Sequence, residues 1–220
     1  MHLTRAGISI GLVISLLAPP EFARSVALGV VVYSDGGMIG ESDASEGTTV
    51  YDGDQLSTVE DGGLRVNLRA ARVQLASQST VALHSVEEGA QADLSSGGLV
   101  FSAALKSGME VRANGAEIRP AADGPTIGHV LIAGPKDLRI FARRGALEFS
   151  YHGESRVISE GAAYRVQLDP VGADATSDSG PTPMKAGNHK PLFIFIAIGA
   201  AAAVASIIHV FRNIESPEKP

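Results

Sequence analysis

The sequence predicts an all-β domain, a β-roll or β-helix-like arrangement of short strands, followed by one C-terminal transmembrane α-helix. Three observations predict it. Aliphatic side chains alternate at period two through the middle of the chain, as half-buried strands require. Glycine-bearing turn pairs recur between these runs. Near the C-terminus, Leu192 to Phe211 is a 20-residue apolar run without a formal charge.

The N-terminus opens with His2 and Arg5, followed by an apolar run from Ala6 to Ala18 that Pro19-Pro20 ends. Thirteen apolar residues are too few to cross about 30 Å of hydrocarbon, so residues 1–27 read as a secretory signal. Small residues near Ala23 and Ala27 offer cleavage sites; the alternative is an uncleaved, short signal anchor.

Residues 28–168 carry the alternation. Its clearest runs are Leu64-Val66-Leu68, Val73-Leu75, Val81-Leu83, Leu138-Ile140, Leu147-Phe149-Tyr151 and Tyr164-Val166-Leu168. Turns are expected at Gly36-Gly37, Asp52-Gly53, Gly62-Gly63, Gly97-Gly98, Asn114-Gly115, Asp123-Gly124-Pro125, His152-Gly153 and Glu160-Gly161. Asn-Gly and Asp-Gly adopt the positive φ of tight hairpins at little cost. No part of this region shows a helical period.

Residues 169–190 exchange aliphatics for Pro, Gly, Ser, Thr and Asp, a composition that cannot bury enough surface to fold and reads as a flexible linker. Residues 191–211 then read as a membrane span. A helix over the 20-residue apolar run would be about 30 Å long, and eleven of its residues are Leu, Ile, Phe or Val. Lysines and arginines are balanced across it, so export of the domain sets the orientation and leaves residues 212–220 as a cytoplasmic tail. Gly199 with Ala203, and Ala202 with Ser206, are small-residue pairs through which two such helices would approach, giving a homodimer.

Within the domain, Tyr51-Asp52-Gly53-Asp54-Gln55-Leu56-Ser57-Thr58 resembles the Gly-Asp-x-Leu-x-Thr signature that opens FecR-type periplasmic domains. The likeness continues in order. Gly63 to Leu68 and Arg72 to Leu75 are similar to the family's paired strands, and Ser79-Thr80-Val81-Ala82-Leu83 to its Ser-x-Val-x-Leu step. Leu94 to Val100, Arg144 to Phe149 and Ser159-Glu160-Gly161 resemble its later strands and turns, so the resemblance covers about residues 29–168. It implies a compact β domain in the periplasm, anchored in a bacterial inner membrane and engaged in envelope sensing, scaffolding or signalling with an envelope protein as partner. Classical members place a sigma-factor-contacting cytoplasmic segment and a span ahead of this domain; here the expected anchor follows it.

The residues themselves read Asp52, Gly53, Asp54 and Thr58 as a fold marker: a turn whose carboxylates cap backbone amides, with Leu56 entering the core. Arg139, Arg143, Arg144 and Arg156 form a basic cluster suited to an anionic ligand, which supports a second reading as a glycan- or peptidoglycan-binding module. Asp35, Glu41, Asp43, Glu46, Asp52 and Asp54 lack the spacing of a calcium loop. His84, His129 and His152 lack zinc-ligand spacing, and no Gly-x-Ser-x-Gly elbow or phosphate loop is present. With Cys 0 there is no disulfide or thiolate, and a net charge of −6 argues against nucleic acid. No cofactor, metal site or enzymatic activity is expected.

Overall fold

Each alternating run forms a strand, and the strands join into one sheet. The computed structural model describes residues 26–169 and 193–198. In chain order the strands are β1 (Ala27–Ile39), β2 (Ser42–Asp43), β3 (Thr49–Tyr51), β4 (Gln55–Leu68), β5 (Ala71–Leu75), β6 (Thr80–Val86), β7 (Gly89–Ser96) and β8 (Gly98–Ala103). They continue as β9 (Met109–Ala113), β10 (Ala116–Pro120), β11 (Thr126–Gly134), β12 (Asp137–Arg144), β13 (Leu147–Tyr151), β14 (Glu154–Ile158), β15 (Ala163–Leu168) and β16 (Phe193–Ala197). There is no helix among the described residues.

The hydrogen-bonded order is β14-β13-β10-β9-β7-β6-β4-β5-β8-β11-β12-β15-β16, with β1 along β4 and the short β2 and β3 along β1. All pairs are antiparallel except β7 with β9, whose crossover passes through β8. The sheet curls into an open half-barrel, so of the two expected shapes the rolled sheet is found and stacked β-helical coils are not. Antiparallel hairpins cannot generate the parallel coils of a β-helix. One face of the sheet encloses a continuous core in which Leu56, Leu64, Leu83, Phe101, Ile118, Leu138 and Phe149 are fully buried.

Two expected turns are bends inside long strands. Gly36-Gly37 lies within β1 and Gly62-Gly63 within β4, and the register shifts between Asp35 and Gly37. The two bends face each other, with Asp35 opposite Gly63. Gly36 has φ 58°, and a side chain there would run into Val59 of the partner strand. Paired bulges of this kind increase strand twist and let two long strands curl with the sheet.

A second difference concerns the expected span. The helix predicted over residues 191–211 is not what Phe193–Ala197 form: these residues are β16, paired antiparallel to β15 with Phe195 opposite Val166 and Phe193 opposite Leu168. Phe193 and Phe195 point to the core side and meet Phe149 edge-on at centroid distances of 5.1 and 5.2 Å. Phe and Ile favour strands, and β16 satisfies the backbone groups of β15 that would otherwise form a bare edge. The stretch is uniformly apolar, so hydropathy alone does not tell this strand from a span. The rest of that stretch, with Gly199 and Ala203, lies outside the described residues, as do residues 1–25 and nearly all of the predicted linker.

Candidate functional site

The signature turn is built into the frame. Gly53 connects β3 to β4 at φ 85°, and its N–H donates to the Leu83 carbonyl at 2.8 Å. Asp52 Oδ1 accepts the Ser85 amide at 2.8 Å and Asp54 Oδ2 accepts the Tyr51 amide at 2.8 Å, fastening the turn to β6 and to β3. Leu56 is fully buried.

Thr58 belongs to a buried polar knot. Its Oγ1 donates to the Ala76 carbonyl and accepts the Ser79 amide at 3.0 Å, while its own N–H donates to the Ser79 carbonyl at 3.0 Å. Ser79 Oγ in turn lies 2.9 Å from both the carbonyl oxygen and the amide of Gly98. Two short sequence motifs thus meet, and buried hydroxyls take over backbone groups where β4, the β5–β6 connection and the β7–β8 junction cross. This arrangement is structural, and it offers no nucleophile to solvent.

The four arginines are not brought to one face. Arg139 and Arg143 alternate with buried Leu138, Ile140 and Ala142 on β12 and so face outward, while Arg144 is exposed at the strand end. Arg156 sits on β14 opposite Phe149, on the core side of the sheet, with its guanidinium 4.7 Å from the Phe195 ring centroid. Arg165, opposite Arg139, pairs with Asp137 through Nε at 2.7 Å, which raises the guanidinium pKa further.

Sequence reading did not single out the setting of His129. It lies on the outer face of β11 between Val100 of β8 and Phe141 of β12, 8% exposed, with the Phe141 ring centroid 5.5 Å away. Burial, reinforced by the charge of Arg143, lowers its pKa from 6.5 to about 4. Its imidazole is therefore neutral at physiological pH. His84 lies 3.8 Å from Asp52 and 3.5 Å from Asp93, all about 40% exposed. Among the described residues no three His, Cys, Asp or Glu side chains are placed to share a metal ion.

One concavity was invisible to strand periodicity, because turns supply much of it. An open groove of about 750 Å³ is lined by Gln91 of β7, Glu110 and Arg112 of β9 and Arg119 of β10. Its walls come from the β6–β7 turn at Glu87-Glu88 and the β8–β9 connection at Leu105–Ser107. Val86 and Leu105 are 39% and 49% exposed at its rim. An ion-pair lattice stiffens one side. Glu148 bonds Arg119 Nε at 3.1 Å and Lys106 Nζ at 3.3 Å, and Arg112 bridges Glu110 at 2.8 Å and Glu117 at 3.3 Å. The hydrogen bond from Arg119, with help from Lys106, holds the Glu148 carboxyl below the usual carboxylate range. A smaller hollow shares Val86 to Glu88 and extends the concavity toward Leu28, Leu68 and Arg69.

The class this geometry defines is an all-β domain made of one curled sheet, with an open, charge-rimmed groove at its turns. No protein-family model matches the sequence, and no curated protein matches it. Among solved structures, the chain is similar to a crystal structure of a candidate anti-sigma factor from Parabacteroides distasonis ATCC 8503. That likeness has 11% identity and a TM-score of 0.48 over 70% of this chain and 64% of that one, so this chain spans less than two thirds of its length. A second crystal structure, also of a candidate anti-sigma factor from the same organism, shows 12% identity and a TM-score of 0.47, covering 73% of each chain.

Proposed function

We propose that this chain is a membrane-anchored, FecR-like envelope module that works by binding another protein and not by catalysis. One observation carries the reading: the open groove at the turns, where Val86 and Leu105 sit in a surround of both charge signs. Exposed apolar side chains within a polar rim are the composition of a protein-docking surface. Supporting it, the ordered motifs from Asp52 to Gly161 resemble FecR-type domains, and the signature residues serve the frame. The expected export signal and C-terminal apolar run support a position outside the cytoplasm of a bacterial cell, facing envelope partners. Regulation of a sigma factor would require a cytoplasmic element and is no part of this proposal.

The test is proximity-dependent cross-linking in the envelope with variants of two exposed apolar positions. Leu105→Asp should abolish a cross-linked partner band, whereas Val157→Asp, on β14 and 60% exposed, should leave it intact. Equal loss or equal retention would refute the groove as the docking surface. The glycan-binding reading enters as another outcome: retention on purified sacculi that Arg143→Ala and Arg144→Ala together abolish.

A further inference from the structure

Two structural demands fall on Phe193–Ala197. These residues begin the 20-residue uncharged run from Leu192 to Phe211, and they are β16 of the sheet. Both demands cannot be met together. In β16, backbone groups pair with β15 and Phe193 and Phe195 rest on Phe149. In a bilayer, every backbone N–H and C=O must find its partner within the inserted segment. With β16 kept in the sheet, residues 199–211 as a helix would reach only about 20 Å, against a hydrocarbon core of about 30 Å.

We propose that this strand has two mutually exclusive addresses, the edge of β15 and the bilayer, so that full insertion of the apolar run withdraws β16 and uncovers Phe149 and Tyr164. The proposal rests on the membrane-anchoring reading given above. Several features make β16 exchangeable. Among the described residues it has one hydrogen-bonded neighbour, and Ile196 remains 45% exposed. Its aromatic contacts, to Phe149 and Tyr164 and from Arg156, lie where the two ends of the curled sheet approach each other. The 23 residues between Asp169 and Phe193 can reach about 75 Å when extended, far more than the step between paired strands, so leaving the sheet need not pull on β15. Membrane insertion and closure of the roll then become coupled events in one domain.

The chain has neither cysteine nor tryptophan, which makes the test direct. Gln167→Cys with Ile194→Cys places two thiols at directly opposed positions of β15 and β16, and Arg165→Cys with Ile196→Cys gives a second pair. Ile208→Trp adds a sole fluorophore to the apolar run. The full chain is presented to phosphatidylcholine–phosphatidylglycerol vesicles containing brominated lipid, either reduced or oxidised beforehand. Oxidation without vesicles should yield the disulfide. Reduced protein should show tryptophan quenching by the brominated lipid, the oxidised form should lose it several-fold, and reductant should restore it. Equal quenching of the locked and reduced forms would overturn the proposal, as would failure of both cysteine pairs to cross-link in solution. A cross-link in solution with no quenching of the reduced form would instead refute the anchoring reading, and the second address with it.

Discussion

Acidification from pH 6.5 toward 4 should destabilise the domain in part through His129, and replacing that residue should remove that part of the effect. In the fold its pKa is lowered from 6.5 to about 4, chiefly by burial and further by Arg143. Between those values the unfolded chain binds a proton that the folded chain refuses, so stability falls as pH drops through 6.5 and stops falling near pH 4. The slope is about 1.4 kcal/mol per pH unit, giving an order-of-magnitude loss of about 3 kcal/mol across the window. For a domain of this size that is a fall in Tm of roughly 6–12 °C. In His129→Leu the slope over the upper part of this window should fall by about 1.4 kcal/mol per pH unit, with neutral-pH stability changed by less than about 1.5 kcal/mol. Differential scanning calorimetry of the full chain in mild detergent gives the slopes, and NMR of the imidazole protons gives the midpoint. An imidazole titrating near 6.5, or a variant with the wild-type pH slope, would refute the reasoning.

Other expectations concern the frame and the groove. Thr58→Val leaves the Ser79 amide and the Ala76 carbonyl buried without their hydroxyl partner, so chemical denaturation should show a loss of about 2–4 kcal/mol. Gly97→Ala places a methyl against Ser79 Oγ at a φ of 70°, and its unfolding free energy should fall by more than the roughly 1 kcal/mol of an average point substitution. Glu148→Gln should lower stability above about pH 4.5, and its difference from the wild type should vanish as pH falls below that. The carboxylate's contribution is present above its unfolded pKa and is lost as pH falls through its lowered folded value. For a partly exposed pair the effect should stay under about 1 kcal/mol.

Much of the strand content could be read in the sequence because alternation is a local property. Leu64-Val66-Leu68 and Leu147-Phe149-Tyr151 announce both a strand and its buried face. The order of strands is not local, and the parallel step from β7 to β9 over β8 has no sequence marker. Glycine pairs also carry two meanings. Asn114-Gly115 and His152-Gly153 are hairpin turns with positive φ at both residues, whereas Gly36-Gly37 is a bulge inside β1. Local sequence cannot tell these apart, because the partner strand decides between them. The groove was hidden for a related reason: Glu87, Leu105 and Asp123 come from separate connections that meet only after the sheet has curled.

The apolar C-terminal run shows where hydropathy and periodicity part company. Insertion of Phe193, Ile194, Phe195 and Ile196 into a bilayer is worth roughly 1–2.5 kcal/mol in total on a helix-centre scale. In the sheet, two half-buried phenylalanines bring about 1.5–3 kcal/mol of apolar burial, and their edge-on contacts with Phe149 add about 0.5–1.5 kcal/mol each. Ordering the strand backbone opposes this by about 1–2 kcal/mol per residue, partly offset by the new backbone hydrogen bonds. The opposing sums are of similar size, so composition alone cannot assign these residues to lipid or to sheet. What separates the addresses is the environment, and in the folded domain the edge of β15 supplies both the register and the aromatic floor that the strand fits.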